Sequence, residues 1–258
     1  MQIWHSADRK FGYTGPMTYC LAIKIEDGLV FCSDSRTNAG PDQVSTFSKL
    51  HRFDSDDGRH LVLLSAGNLA TTQAVIDEIG RDLREQAEVN VSNARYLSDI
   101  ADYVGRLSLE VQNKYAPAGE EAGFNAEATF ILGGQMAGDP QELYLIYPEG
   151  NHIRVSSQHP YLQIGETKYG KPILDRIVEP TTPYEVALRC ALVSMDSTMR
   201  SNATVGPPIE ILFLPMDNSP PSYHQLEQDS DYLIDLREAW NEKIVEAFNE
   251  LPSLDYLL

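Results

Sequence analysis

Residues 17–36 read MTYCLAIKIEDGLVFCSDSR, and this stretch decides the fold of the chain. Apolar residues alternate with more polar ones in its first half, as they do in a strand with one buried face. The pair Asp27-Gly28 then favours a two-residue type I′ turn, because both central positions of that turn need a positive φ angle. An apolar run follows at 29–32 and ends in the polar residues 33–36. The stretch therefore predicts a β-hairpin.

The predicted hairpin brings functional groups together at one end. Thr18 begins its first strand and Asp34 ends its second strand, so a hydroxyl and a carboxylate come close to each other. If the mature polypeptide begins at Thr18, an α-amine joins them and the arrangement is a catalytic one. If other residues precede Thr18, the same pattern is that of an ordinary hairpin.

Strand and helix signals alternate in blocks along the rest of the chain. Apolar runs predict strands at 48–53, 60–66, 128–132, 142–147, 152–155, 161–164 and 209–214. Apolar residues at helical spacing predict helices at 69–83, 97–111, 170–178 and 233–251, and a further helix starts near 182. At that start, Thr182 and Glu185 form a capping box and Pro183 suits the first helical position. The polar segment 37–46 is predicted to be a loop.

This order of elements bounds the fold class. Strands, two helices, strands and two helices indicate an α+β protein with antiparallel sheets sandwiched between helices. No repeat or linker divides the chain, so we expect a single domain over 18–258 that includes a C-terminal helical extension. The apolar tail 253–258 either docks on a neighbouring subunit or packs on its own domain.

Composition excludes several classes of protein. The chain has 258 residues, a net charge of −18 and a pI of about 4.6, which argues against nucleic acid and anionic membranes as partners. No apolar run is long enough to span a bilayer. The charged residues at 8–10 exclude a signal peptide from the first sixteen residues. Three cysteines without CxxC spacing favour a reduced, cytoplasmic protein.

The segment from Thr18 to Gly40 resembles the start of a mature proteasome-type β subunit. More closely, it resembles the bacterial ancestral β subunit branch, Anbu, of the N-terminal-nucleophile hydrolases. The resemblance continues through Lys49 and the Ser-Ala-Gly-Asn run at 65–68, and it covers roughly 17–215. It implies a four-layer α-β-β-α sandwich and a homo-oligomer, either a ring or an open helical ring, whose sites face a secluded interior. The residues identify no unfoldase partner.

The resemblance also implies a catalytic centre. Thr18 would be the nucleophile, and its own α-amine, with an unperturbed pKa of about 7.7–8.0, would be the base. Asp34 and Lys49 would form a charged pair beside it. The ammonium of Lys49 would lower the proton affinity of the amine by like-charge repulsion, and Asp34 would hold the ammonium in place. Without the resemblance, Asp34 would be a turn residue and Lys49 an ordinary surface lysine.

Further residues receive roles from the same resemblance. The backbone N–H of Gly67 would be the oxyanion donor, and Ser65 and Leu69 would border the substrate-binding pocket. Related subunits place a Gly-Ser pair and an Asp-Gly-Ser loop around the amine, whereas this chain has 164–167 and 200–203 there. Hydrogen bonds to the amine are therefore expected from these candidates: Glu166 or Thr167, and Ser201.

The first 17 residues are either a short extension or propeptide, or a segment upstream of the start codon that is used. Met17 precedes a small residue, so methionine removal after a start there would expose Thr18. Propeptides of proteasome subunits more often end in Gly, so Met17 departs from that pattern.

The sequence signals for phosphate binding and for metal binding are weaker. Gly165 to Lys171 fits the G-x-x-x-x-G-K part of a phosphate loop, but Pro172 stands where a magnesium-binding Ser or Thr is needed. The six histidines are scattered without a metal or triad motif, so we expect no cofactor and no metal.

The sequence thus predicts an N-terminal threonine hydrolase that cleaves peptide or amide bonds through an acyl-enzyme on Thr18. The sequence leaves two alternatives open. One is a non-proteolytic amidohydrolase or amide transferase on the same fold, since the fold does not fix the substrate. The other is a catalytically silent structural subunit, which follows if residues stay attached in front of Thr18, because an acylated amine is no base.

Overall fold

The computed structural model describes residues 18–38, 44–55, 58–122, 125–217 and 219–254. Strands in these ranges are, in chain order, β1 (Tyr19–Ile25), β2 (Gly28–Asp34), β3 (Arg36–Asn38), β4 (Val44–Thr46), β5 (Leu50–Asp54), β6 (His60–Gly67), β7 (Ala128–Gln135), β8 (Glu142–Ile146), β9 (His152–Arg154), β10 (Tyr161–Gly165), β11 (Ile209–Pro215) and β12 (Ser222–Leu226). Helices are α1 (Leu69–Glu85), α2 (Leu97–Ala122), α3 (Lys171–Ile177), α4 (Tyr184–Ser201) and α5 (Asp231–Asn249). The predicted N-terminal extension, 1–17, lies outside the described residues.

The strands form two five-stranded antiparallel sheets that pack face to face. The first sheet has the order β10-β1-β2-β11-β12 and the second β5-β6-β7-β8-β9, while β3 and β4 pair separately. Side chains between the sheets, such as Phe31 and Ile131, are fully buried. A second core lies between the first sheet and α3, α4 and α5, and a third between the second sheet and α1 and α2. This is the four-layer α-β-β-α sandwich that the sequence predicts.

The opening hairpin forms, but its turn is one residue earlier than predicted. Ile25 pairs with Gly28, so Glu26 and Asp27 make the turn. Neither has a positive φ angle, so the turn is not type I′. Gly28 has a φ of +150°, and an added Cβ would lie 2.2 Å from the carbonyl oxygen of Leu214. Close packing against β11 therefore explains this glycine.

Helix α4 also begins differently from the prediction. Its N-cap is Pro183, without a side-chain capping bond, and the helix starts at Tyr184. The Thr182 hydroxyl accepts instead from the amide of Glu179 at 2.8 Å. The predicted capping box is wrong because Thr182 closes the preceding turn.

Three short strands lie where no strand is predicted. Strands β3 and β4 fall in the segment predicted to be a loop, and β12 follows the Pro-Pro pair at 220–221. All three pair with a neighbour rather than presenting an apolar face of their own, so single-sequence alternation gives no signal for them.

Candidate active site

A buried ion pair lies at the end of the hairpin. Asp34 ends β2, and its side chain has no exposed surface. Its Oδ1 accepts from Lys49 Nζ at 2.7 Å and from the Tyr19 amide at 3.0 Å. Its Oδ2 accepts from the Gly206 amide at 3.2 Å. Three donors from separate segments therefore hold the carboxylate in one orientation.

Lys49 reaches this carboxylate from the second sheet. It immediately precedes β5, and its side chain is only 7% exposed. Its carbonyl accepts from the Ser65 amide at 3.0 Å, which fixes its backbone against β6. Its Nζ donates a second hydrogen bond, at 2.8 Å, to the carbonyl of Arg36. The ammonium is therefore positioned from both sides.

The two charges of this pair oppose the cost of burial. Burial raises the pKa of the Asp34 carboxyl above its ordinary value, while the Lys49 charge and the hydrogen bonds of Lys49, Tyr19 and Gly206 lower it. Removing either partner would leave an uncompensated charge in the interior.

Thr18 stands directly before β1, and only 8% of its surface is exposed. Its carbonyl accepts from the Glu166 amide at 2.7 Å. Gly165 makes this approach possible, because its φ angle is +82° and an added Cβ would lie 2.0 Å from that carbonyl oxygen. The hydrogen bond from the residue that follows β10 therefore fixes the backbone of Thr18.

A cavity of about 550 Å³ opens over these residues. Its lining includes the side chains or backbone of several residues that the sequence predicts to act together: Thr18, Lys49, Ser65, Gly67 and Leu69. Asp34 lies behind Lys49 and does not line the cavity. The predicted nucleophile, lysine, oxyanion donor and pocket residues thus share one place in the fold.

Gly67 occupies the turn between β6 and α1. Its φ angle is +111°, and an added Cβ would lie 2.4 Å from the carbonyl oxygen of Glu127. Asn68 then caps α1 by accepting from the Thr71 amide at 3.1 Å. This turn therefore requires glycine, because any side chain would clash with the backbone at the start of β7.

The three candidates for contacts to the Thr18 amine have different surroundings in the structure. Glu166 is 2% exposed, and its Oε1 is a buried atom without a hydrogen-bond partner among the described residues. Its Oε2 accepts from Asn202 Nδ2 at 3.2 Å. Thr167 follows Glu166 and is half-buried. Ser201 is exposed at the end of α4 and lines a different cavity, so the structure does not bring it to Thr18.

Sequence reasoning missed three residues of this region: Gly206, His51 and Glu210. Gly206 gives no sequence signal, because its contact with Asp34 depends on a loop far along the chain. His51 lines the cavity, and its Nε2 lies 3.5 Å from Ser65 Oγ. Burial lowers the pKa of His51, and the negative charge of Glu210 raises it. Glu210 did have a signal, since it is a charged residue inside an apolar strand.

Neither a metal site nor a membrane span is found in the part of the chain that the structure describes. No group of three His, Cys, Asp or Glu residues there could hold a metal ion. None of the helices in those ranges is apolar over a length that would cross a bilayer.

One family profile matches most of the chain. The profile described as "Proteasome subunit" matches residues 17–214. The chain belongs to the proteasome subunit family. The family match begins one residue before Thr18 and ends inside β11, so β12 and α5 lie beyond it. No curated protein matches the chain.

Solved structures of Anbu proteins, or ancestral β subunits, are similar over nearly the whole chain. Anbu from Yersinia bercovieri is 41% identical with a TM-score of 0.86, and the match covers 92% of this chain and 99% of that one. The helical assembly of the Anbu complex from Pseudomonas aeruginosa gives 43% identity and a TM-score of 0.86, with 92% and 98% covered. Anbu from Hyphomicrobium sp. strain MC1 gives 36% and 0.83, with 92% and 100% covered.

Proposed function

We propose that this chain is an N-terminal threonine hydrolase that cleaves peptide or amide bonds through an acyl-enzyme on Thr18. One observation carries the proposal: a buried Asp34–Lys49 pair lies next to the backbone of Thr18, and Thr18 and Lys49 line one cavity. Burying the Lys49 ammonium 2.7 Å from a carboxylate carries a desolvation cost, and buried charges of this kind cluster at functional sites.

Acylation starts at the Thr18 hydroxyl. Its proton passes to the free α-amine as Oγ1 attacks the carbonyl carbon of the substrate, so the amine becomes an ammonium and the carbonyl oxygen an oxyanion. The Gly67 N–H stabilises the oxyanion, a contribution of about 10²–10³ in rate for one such donor. The ammonium then protonates the leaving amine as the C–N bond breaks, which leaves an ester on Thr18.

In deacylation the same α-amine again accepts a proton and then donates it, with water as the nucleophile. The α-amine takes a proton from water as the water oxygen attacks the ester carbonyl. The proton returns to Oγ1 as the ester C–O bond breaks, and a carboxylic acid leaves. Lys49 keeps a positive charge beside the amine, which lowers the proton affinity of the amine and so keeps it available as a base at neutral pH. The buried Oε1 of Glu166 is a candidate acceptor for the amine.

The functional unit in this proposal is a homo-oligomer with ring or open helical geometry. The Pseudomonas relative forms a helical assembly. In this chain, α5 carries exposed apolar side chains, among them Ile244 and Phe248, at 47% and 70% exposure. Such side chains on one helix favour burial against another subunit. The three cysteines are free and buried, which fits a reducing compartment such as the cytoplasm.

Intact mass and covalent labelling test the hydrolase proposal. The active protein is expected to have the mass of a polypeptide that begins at Thr18, and a β-lactone or epoxyketone probe should modify Thr18. Thr18→Ala should abolish both labelling and hydrolysis. Thr181→Ala replaces an exposed threonine outside the cavity and should leave both unchanged. Hydrolysis that persists in Thr18→Ala would rule the proposal out. So would hydrolysis by a chain in which further residues remain attached to the α-amine of Thr18.

A further inference from the structure

Glu210 is a buried carboxylate that the proposed mechanism does not use. It lies in β11 with 4% of its surface exposed. Ser35 Oγ donates to its Oε2 at 3.1 Å, and Tyr223 Oη donates to its Oε1 at 2.7 Å. Ser48 Oγ lies 3.0 Å from Oε1. Its hydrogen-bond partners among the described residues are thus hydroxyl groups and not a cation, which makes this buried charge expensive and points to a role.

The two serines place Glu210 next to the catalytic pair. Ser35 follows Asp34 in the chain, and Ser48 precedes Lys49. The first serine directly follows β2 of one sheet, and the second leads into β5 of the other sheet. Through these hydroxyls, Glu210 joins the segment that carries the carboxylate to the segment that carries the ammonium.

The third hydroxyl comes from outside the shared family domain. Tyr223 lies in β12, beyond the region 17–214 that matches the proteasome subunit profile. Its strand pairs with β11, and the Arg52 guanidinium lies 5.9 Å from the centre of its ring. The C-terminal segment therefore contacts Glu210 as well as supplying α5.

We propose that Glu210 is a positioning residue that sets the distance between Asp34 and Lys49, and that Tyr223 holds Glu210 in place. This inference rests on the proposed function. A displacement of the Lys49 ammonium by about 1 Å would reduce the rate of acylation by about 10²-fold, because the proton transfer at Thr18 depends on a fixed nearby charge. β12 is accordingly part of the catalytic apparatus of this chain.

The charge of Glu210 offers a readout that does not require activity. His51 lines the Thr18 cavity, and Glu210 raises the pKa of its ring against the effect of burial. Glu210→Gln keeps the shape of the side chain and removes its charge, so the pKa of His51 should fall. Tyr223→Phe keeps the Glu210 charge, so it should leave that pKa nearly unchanged.

The experiment compares Glu210→Gln and Tyr223→Phe with the control Glu142→Gln. Glu142 is a half-buried carboxylate of β8 that pairs with Lys24 at 3.0 Å, away from the cavity. The three readouts are NMR titration of ¹³C-labelled His51, assigned with His51→Gln, acetylation of Lys49 by acetic anhydride, and hydrolysis of a peptide amide. Rates of hydrolysis are expressed per Thr18 site titrated with a β-lactone.

The expected pattern is specific. Glu210→Gln lowers the pKa of His51, accelerates acetylation of the buried Lys49 relative to the exposed Lys114, and reduces kcat about 10- to 100-fold with little change in KM. Tyr223→Phe should also accelerate acetylation of Lys49 and reduce kcat, but it should leave the pKa of His51 nearly unchanged. Restoring the charge with Glu210→Asp should return the pKa of His51 towards that of the wild type.

Failures of the two proposals look different. If the wild type hydrolyses nothing and Thr18 is not labelled, the hydrolase proposal fails, while the His51 titration and Lys49 acetylation still decide the role of Glu210. An unchanged Lys49 acetylation rate in Glu210→Gln, or a kcat equal to that of Glu142→Gln, would overturn the positioning role. Loss of folded protein without a change in kcat per titrated site would show a merely structural role and would also overturn it.

Discussion

Replacing Lys49 with methionine should destabilise the protein far more than a surface substitution. Methionine keeps most of the side-chain volume and removes the ammonium. Asp34, whose side chain is fully buried, keeps its two backbone N–H donors but loses the charge at 2.7 Å. Breaking a buried ion pair from one side costs about 3–5 kcal/mol. For a domain of this size, that lowers the midpoint of thermal unfolding by roughly 6–20 °C.

The pH dependence of Lys49→Met has a definite sign. Burial already raises the pKa of Asp34, and the Lys49 charge opposes that effect. Without Lys49 the folded-state pKa rises further, so the folded variant gains stability by binding a proton. The stability deficit relative to the wild type should therefore shrink as the pH falls and grow as the pH rises through the folded-state pKa of Asp34.

The assay is thermal unfolding by circular dichroism across pH, with each variant in the same oligomeric state. Lys24→Met is the matched control, because the half-exposed Lys24–Glu142 pair contributes at most about 1 kcal/mol. The double variant Asp34→Asn/Lys49→Met should recover much of the lost stability, since it removes both charges of the pair, but it should have no hydrolytic activity. A midpoint for Lys49→Met that equals that of Lys24→Met would refute this reasoning.

Three further outcomes are expected. Because burial lowers the pKa of His51, protonation of its ring destabilises the folded state. Wild-type stability should therefore decline as the pH falls below about 6.5, the pKa of histidine in the unfolded chain. When the unfolding midpoint is measured across acid pH, His51→Gln should show a smaller decline. Gly67→Ala forces a Cβ to 2.4 Å from the Glu127 carbonyl at a φ of +111°, so chemical denaturation should show a loss of about 1–3 kcal/mol, and β-lactone labelling should slow. Phe31→Ala empties a fully buried position between the sheets and should cost about 3–5 kcal/mol in the same denaturation assay.

Local residue patterns were sufficient to predict much of the fold. The alternation in 17–36 predicts the opening hairpin, and Thr18 lies near Asp34 because a hairpin brings its own ends together. Helix α1 follows from apolar spacing, and the strand before it makes the Gly67 turn recognisable. The two errors have different causes. Gly28 packs on β11, which lies far along the chain, whereas Thr182 closes a local turn with the Glu179 amide that competes with the capping box.

The predicted site was only partly accessible from sequence. Five positions taken from the family resemblance meet in one cavity: Thr18, Lys49, Ser65, Gly67 and Leu69. Asp34 lies behind Lys49, Ser201 lines another cavity, and Glu166 and Thr167 do not line the first. The Ser201 prediction depends on the path of the chain after α4, where buried Asn202, and not its neighbour, turns towards Glu166. Spacing along a helix end does not specify which of two adjacent residues faces inward.

The sequence by itself determined the hairpin, the order of the helices and of the apolar strands, and the family, because these depend on short-range periodicity and on residue identity. Only the tertiary structure decided that Gly206 donates to Asp34 and that Glu210 connects the segments of Asp34 and Lys49. These contacts join residues more than 160 positions apart, at sequence separations of 172, 175 and 162. The contacts of Asp34 and Ser35 exist only once the distant strands β2 and β11 pair, and the contact of Ser48 exists only once the two sheets pack, so no local pattern specifies them.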